Sequence, residues 1–409
     1  MRPSLRVLQY FTIALIIGLS FYNFGCGSVN EEATTTITST TTTTTAASTT
    51  TTVTTTTSVA TTVTTTTIGS TTVTTTSTTT TTALSYSWEA LGSGVDDTVY
   101  ALFWSSNGYL IIGGDFTTGS NNIASFEGGV YRGYASGPGG RVRAITEHSG
   151  ILMAAGDLAH AVRYFNGSWN DRGGALIGYG NCLVDAAGGS GPNLCVGGTL
   201  TNEAAFINRF AYALNSNDFV GGGTTNWGTV EALTFDSGSQ YVFAGGIGLG
   251  QADYFIQKAS VNNLGGWSSI TNQPNGPIYA LAANNGLLYF GGTFDQISPT
   301  TNTSNIAKYN ISSETFSALD SGIAGPVYAL AVDTSNGLLF AGGYFSSASG
   351  TSANNIAVWD GSSWHALNAG TNGTVEAIAI DPQGNVYVGG HFTSAGGISA
   401  NHIAKLTRD

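Results

Sequence analysis

An all-β, seven-bladed β-propeller of four-stranded antiparallel blades is predicted by three features of this 409-residue chain. Its apolar runs are short and bounded by turn residues, and none keeps a helical period. Fifty-seven glycines and a charged fraction of only 9% suit a protein of strands and tight turns. One phrase recurs seven times, and the two ends of the chain carry complementary parts of one unit.

The phrase is clearest in "VYALAVDTSNGLLFAGGYF" at 327–345. A glycine pair, or its equivalent, begins at Gly113, Ala155, Gly197, Gly245, Gly291, Gly342 and Gly389, at spacings of 42, 42, 48, 46, 51 and 47 residues. Runs of the form V-x-A-L precede it at 99, 142, 230, 278, 327 and 375, and the third unit offers only "NCLV" near 181. Within a unit, V-x-A-L opens the first strand, a turn such as Ser335-Asn336-Gly337 leads to the second, "NIAVWDG" alternates as a third, and "SWHAL" forms the fourth. Such a unit cannot bury both faces alone, so it must stack on its neighbours. The unit starting at Val375 lacks a fourth strand, whereas "SWEALGSG" at 87–94 matches "SWHALNAG" at 363–370 and precedes the first V-x-A-L. Pairing Trp88–Leu91 with Ile403–Leu406 closes a ring, which a linear solenoid would not need. The glycine pair is expected where blades crowd together.

With Gly342-Gly343 ahead of "NIAVWDGSSWHAL" and Gly291-Gly292 ahead of "NIAKYNISSETFSAL", the chain resembles the kelch repeat: a glycine pair ends the second strand and an aromatic opens the fourth. The resemblance covers 87–409, is strongest in the last three units, and is similar to secreted bacterial propellers and to the repeats of fungal cortical-marker proteins. The enzymatic branch of that group, resembling galactose oxidase, needs a copper site of His and Tyr with a Cys-Tyr link. His148, His160, His365, His391 and His402 are scattered and do not match it. No cofactor and no metal are expected.

Residues 1–26 form a targeting segment: Arg2 and Arg6 precede an apolar run too short to span a bilayer comfortably. Gly25-Cys26-Gly27-Ser28 resembles a bacterial lipobox, although Asn23 stands where that motif wants leucine. Lipid attachment at Cys26 is expected, with ordinary signal cleavage as the alternative. Residues 27–84 are a threonine-rich stalk, with 34 threonines among positions 34–82, expected to be a disordered spacer of about 40 Å that could carry O-linked sugar. The propeller takes 85–409. Cys182 and Cys195 lie on neighbouring strands of an exported chain, so a disulfide is expected; the alternative is two buried thiols.

Removing Arg2 and Arg6 takes the formal charge from −12 to −14, with no basic cluster. Nucleic acid is therefore excluded as a partner, while basic proteins, cations and uncharged ligands remain. The membrane is met only through the lipid anchor, and a monomer is expected. Two places can recognise a ligand. The longer loops, "DQISPTTNTSN" at 295–305, "SSASGTSAN" at 346–354 and "TSAGGISAN" at 393–401, share one face. Asp96, Asp97, Asp115, Asp157, Asp295, Asp320 and His391 fall on or near that face and are read as solvated loop residues. The second position of V-x-A-L varies as core positions seldom do: Tyr100, Arg143, Glu231, Tyr279, Tyr328 and Glu376. If it faces the axis, these side chains ring a channel and bind a polar ligand; otherwise the tyrosines pack between blades and the charges pair. No catalytic motif stands out. The expected function is a non-enzymatic, surface-anchored binding module for protein or glycan; the alternatives are a polysaccharide hydrolase or lyase using channel carboxylates, and a passive surface coat.

Overall fold

The computed structural model describes residues 60–68, 71–79, 84–172, 176–188, 191–202, 209–214, 219–222, 227–250, 253–297 and 301–409. The targeting segment with Cys26 and the first part of the stalk lie outside these residues. Two compact units are present, Met1–Thr82 and Ala83–Asp409. In the first, Ala60–Ile68 pairs antiparallel with Thr71–Thr79, in register from Ala60 opposite Thr79 to Ile68 opposite Thr71. The β-branched Thr and Val that fill both segments favour extended backbone.

The second unit is a seven-bladed propeller. Each blade is an antiparallel sheet whose strands follow chain order from the axis outward. The innermost strands are Val99–Trp104, Arg141–His148, Leu176–Gly188, Trp227–Asp236, Ile278–Asn284, Val327–Asp333 and Thr374–Ile380. Each packs on the next, and Thr374–Ile380 packs on Val99–Trp104, so the ring is closed. Closure uses the predicted lacing: Tyr86–Ala90 is the outer strand of blade seven, pairing with Ile403–Arg408, Trp88 opposite Leu406. The core is a set of layers between blades, as where Phe340 and Val358 of blade six meet Val375, Val388 and Leu406 of blade seven.

The glycine pair has two separate causes. A methyl group added at the first glycine would strike the opening aliphatic residue of the next blade. This holds for Gly113 on Val142, Gly197 on Val230, Gly245 on Ile278, Gly291 on Val327, Gly342 on Val375 and Gly389 on Val99. A methyl at the second glycine would strike a carbonyl within its own blade, from Thr98 O at Gly114 to Thr374 O at Gly390, in all seven blades. The sequence-based expectation of crowding between blades therefore holds for the first glycine only. The second is required by a β-bulge: in every blade the register of the inner pair slips at V-x-A or its counterpart, Gly180-Asn181-Cys182 in blade three, so that Val99 faces Gly114 while Ala101 faces Gly113.

An aromatic on the outer strand latches each of four blades to its predecessor. Trp169, Trp364 and Trp88 donate their indole N–H, at 3.0 Å, to the carbonyls of Tyr134, Leu319 and Leu367. Tyr131 donates its hydroxyl to Leu91 O at 2.7 Å. The acceptor always stands three residues beyond the preceding blade's own outer-strand aromatic, which gives the "W-x-A-L" phrase its meaning.

The pairing corrects the disulfide expectation. The bulge between Gly180 and Cys182 sets Cys182 opposite Gly197 and Cys195 opposite Val184. The two cysteines are thus diagonal neighbours, a placement that separates residues by roughly 7–8 Å, Cβ atoms somewhat less, against the roughly 3.5–4.5 Å between Cβ atoms of a bridge. Both are buried free thiols, their ionisation suppressed by burial.

Candidate functional site

The bulge that demands the second glycine also aims the variable side chain. A bulged residue has no partner across the ladder, and here it lies on the strand nearest the axis. The six residues singled out by their variability, Tyr100, Arg143, Glu231, Tyr279, Tyr328 and Glu376, are the bulge residues of six blades. Asn181 is the seventh, which sequence reasoning missed because "GNCL" replaces V-x-A-L in blade three. All seven are half-buried. They converge: Asn181 Nδ2 donates to Glu231 Oε2 at 2.9 Å, the rings of Tyr279 and Tyr328 lie 5.4 Å apart, and the Arg143 guanidinium stands 5.9 Å from the Tyr100 ring centre.

Chain direction gives the ring's level. Each bulge is near the start of an inner strand, where the connection from the previous blade arrives, and the long loop between second and third strands leaves from the same end. The ring therefore lies at the channel mouth on the long-loop face, and the two candidate places are one.

Electrostatics divide the ring into two arcs. On one side Arg143 makes a bidentate pair with Asp157, at 2.8 and 3.1 Å. Arg141 binds Asp115 at 2.6 Å and lies 3.6 Å from Asp157, and its guanidinium sits 5.2 Å from the Tyr100 ring centre. The arginines are thus neutralised by aspartates at the ends of the second strands, Asp157 closing one and Asp115 just beyond another, rather than by ring glutamates. On the other side, consecutive blades present Glu231, Tyr279, Tyr328 and Glu376. Burial pushes both carboxyls up, against the attraction of Arg143 in each case, of the Asn181 amide for Glu231 and of His391 for Glu376. Burial also raises both phenols, and next in weight is the neighbouring carboxylate, Glu231 for Tyr279 and Glu376 for Tyr328.

The loops around the mouth are braced. Small hairpins form at Gln296–Ile297 with Thr301–Asn302, Ser347–Ala348 with Thr351–Ser352, and Ser394–Ala395 with Ile398–Ser399. Asn305 and Asn355, at φ +63°, accept a backbone N–H from their own loop and donate to Ile323 O and Thr371 O of the next connection. Several acids read as solvated loop residues have structural partners. Asp96 accepts backbone and hydroxyl hydrogen bonds from Thr117 and Thr118, Asp97 caps Thr98, and Asp295 accepts from Asn275. Although burial opposes it, the four bonds to Asp96 hold its carboxyl well below the usual range. His391 bonds Thr98 Oγ1 at 3.0 Å, and Asp320 sits at φ +56° in a turn. Among the described residues no group of three or more His, Cys, Asp or Glu is placed to hold a metal.

Residues 382–409 match a family described as a domain of unknown function (DUF5122), beta-propeller. The adhesin BmaC autotransporter of Brucella suis biovar 1 (strain 1330) is 29% identical over 177 residues, 42% of this chain and 5% of the adhesin. Among solved structures, the extracellular domain of a one-component system from B. thetaiotaomicron aligns with TM-score 0.53 and 14% identity, covering 78% of this chain and 39% of that one. The same domain, described within a hybrid two-component system, aligns with TM-score 0.53 and 14% identity over 79% of this chain and 39% of that one. This chain spans well under half the length of each relative, and the likeness to the solved structures is one of fold: a β-propeller.

Proposed function

We propose that this chain is an exported propeller, anchored at the cell surface through lipid on Cys26, that acts without catalysis as a protein-binding module, a monomer taking a basic side chain of its partner into the channel mouth. The observation that carries the reading is the arc Glu231–Tyr279–Tyr328–Glu376. Two carboxylates that burial leaves short of solvation flank a pair of tyrosine rings, and the ring cation Arg143 is bonded directly to Asp157 and acts on them only by longer-range attraction. An ammonium or guanidinium group would supply the missing charge and lie over the rings. The braced loops give the partner a rigid rim. The adhesin and the extracellular domains among the relatives, and the kelch-like aromatics of the outer strands, support surface display and recognition.

The test is titration of the full chain with a lysine-containing pentapeptide and its Nε-acetylated twin. Binding of the free amine at least about tenfold tighter, lost in Glu231→Gln and in Glu376→Gln, is expected. Equal affinity for both peptides would sink the reading. Turnover of a polysaccharide abolished by Glu231→Gln would establish the enzymatic alternative instead. Fatty-acid labelling that persists in Cys26→Ala would remove the anchor.

A further inference from the structure

Away from the axis, a crevice of about 550 Å³ opens where the two ends of the chain are laced, between blade seven and blade one. It lies toward the end of the ring opposite the long loops, because Trp104 closes an inner strand and Phe126 and Glu127 close a third strand. Its volume falls within the roughly 300–1,000 Å³ of small-ligand sites.

The walls combine two kinds of surface. Trp104 stacks on Tyr387, rings 5.4 Å apart and 24° from parallel, and Phe126 contributes a third aromatic. Glu89, Glu127 and Lys405 stand among them. Lys405 Nζ is 3.9 Å from Glu89 Oε2, too long for a direct hydrogen bond, and the Glu89 side chain is 68% exposed. Glu127 is held by Arg132 at 3.1 Å and by Ser125 Oγ at 3.2 Å. The room has an identifiable source. Blade one latches to blade seven with the single ring of Tyr131, where blades two, six and seven use an indole, and its outer hairpin turns on Gly128 and Gly129, which add no side chain.

We infer that this crevice is a saccharide site, taking a neutral mono- or disaccharide unit. A pyranose offers an apolar C–H face to aromatic rings and an edge of hydroxyls that both donate and accept. Trp104 and Phe126, both part-exposed, meet the first, and the buried Tyr387 backs Trp104. Glu89 and Glu127 accept from hydroxyls, and the Lys405 ammonium donates to them. Glu89 and Glu127 are matched by Lys405 and Arg132, so these groups carry no net charge that would favour an anionic or a cationic ligand over a neutral one. The site shares no residue with the channel mouth, so it stands or falls independently of the reading above.

The test is saturation-transfer NMR and calorimetry on the full chain with cellobiose, maltose and N,N′-diacetylchitobiose. At least one should bind saturably. Trp104→Leu and Glu89→Ala should each weaken it by about tenfold or more, while Glu231→Gln and Glu376→Gln leave it unchanged. Glu89 is exposed, so its variant tests the site even if the tryptophan variant folds poorly. Absence of saturable binding by all three sugars, or binding that survives Glu89→Ala undiminished, would overturn the inference.

Discussion

Six of the seven blade interfaces are built alike, and the one between blades two and three is not. In the six, a glycine on the second strand receives a Val or Ile from the next blade. Between blades two and three the sizes are exchanged: Ala155 occupies the glycine position and Gly180 stands where the valine would be, so that a methyl on Gly180 would come within 2.8 Å of Ala155 Cβ. Blade three also has Phe219 and Val220 where blades one, two, six and seven carry the donor aromatic of a latch. What the fold constrains is therefore the combined volume at the contact, not the identity of either residue.

The largest effect should come from the position that is never exchanged. Gly343→Ala drives a methyl into the Pro326 carbonyl, which no neighbouring side chain can relieve. A loss of about 3 kcal/mol or more is expected in urea unfolding. Gly291→Ala meets the Val327 side chain, Cγ1 at 2.5 Å and Cβ at 2.9 Å, and should cost about 2–3 kcal/mol. A double-mutant cycle with Val327→Gly should return a favourable coupling of about 1–3 kcal/mol, recreating the exchanged interface. The reverse exchange, Ala155→Gly with Gly180→Val, should recover less, because the Ala161 carbonyl also lies 2.8 Å from a Gly180 methyl. Trp364→Phe, which strands the Leu319 carbonyl, should cost about 1–3 kcal/mol.

The smallest effect, and the only stabilising one, is expected at the bulge position that the repeat leaves free. Burial raises the Glu376 carboxyl in the folded chain. The folded state therefore binds that proton more tightly than the unfolded state. Its contribution to stability falls as pH rises from the ordinary glutamate range through the raised value. Glu376→Gln should flatten that slope and increase stability at neutral pH, read as unfolding midpoints at pH 4 and pH 8. A midpoint difference identical to that of the parent chain would show that the carboxyl is not desolvated.

The seven units, the division of the last blade between the termini and the variable bulge residues were legible because each is a local pattern repeated. Asn181 was hidden because its unit kept the geometry and lost the spelling: Gly180 replaced the valine and Cys182 the alanine. The cysteine pairing failed for a related reason. Two residues on adjacent strands look like partners in sequence, and a single extra residue in the bulge moves them off the same rung. The indole latches were visible as aromatics, but their acceptors belong to the preceding blade, at separations that reach 279 residues for Trp88 and Leu367.

The amino-acid order alone determined that the chain is all-β, counted its blades and paired its ends, since repetition and strand periodicity are written along the backbone. Only the folded ring decided which side chains meet: the tyrosines and glutamates gathered at the channel mouth, the arginines neutralised beside them, the aromatic crevice at the seam. Register, bulges and closure bring together residues from blades far apart in the chain, and a local pattern carries no information about a neighbour that arrives from the other end.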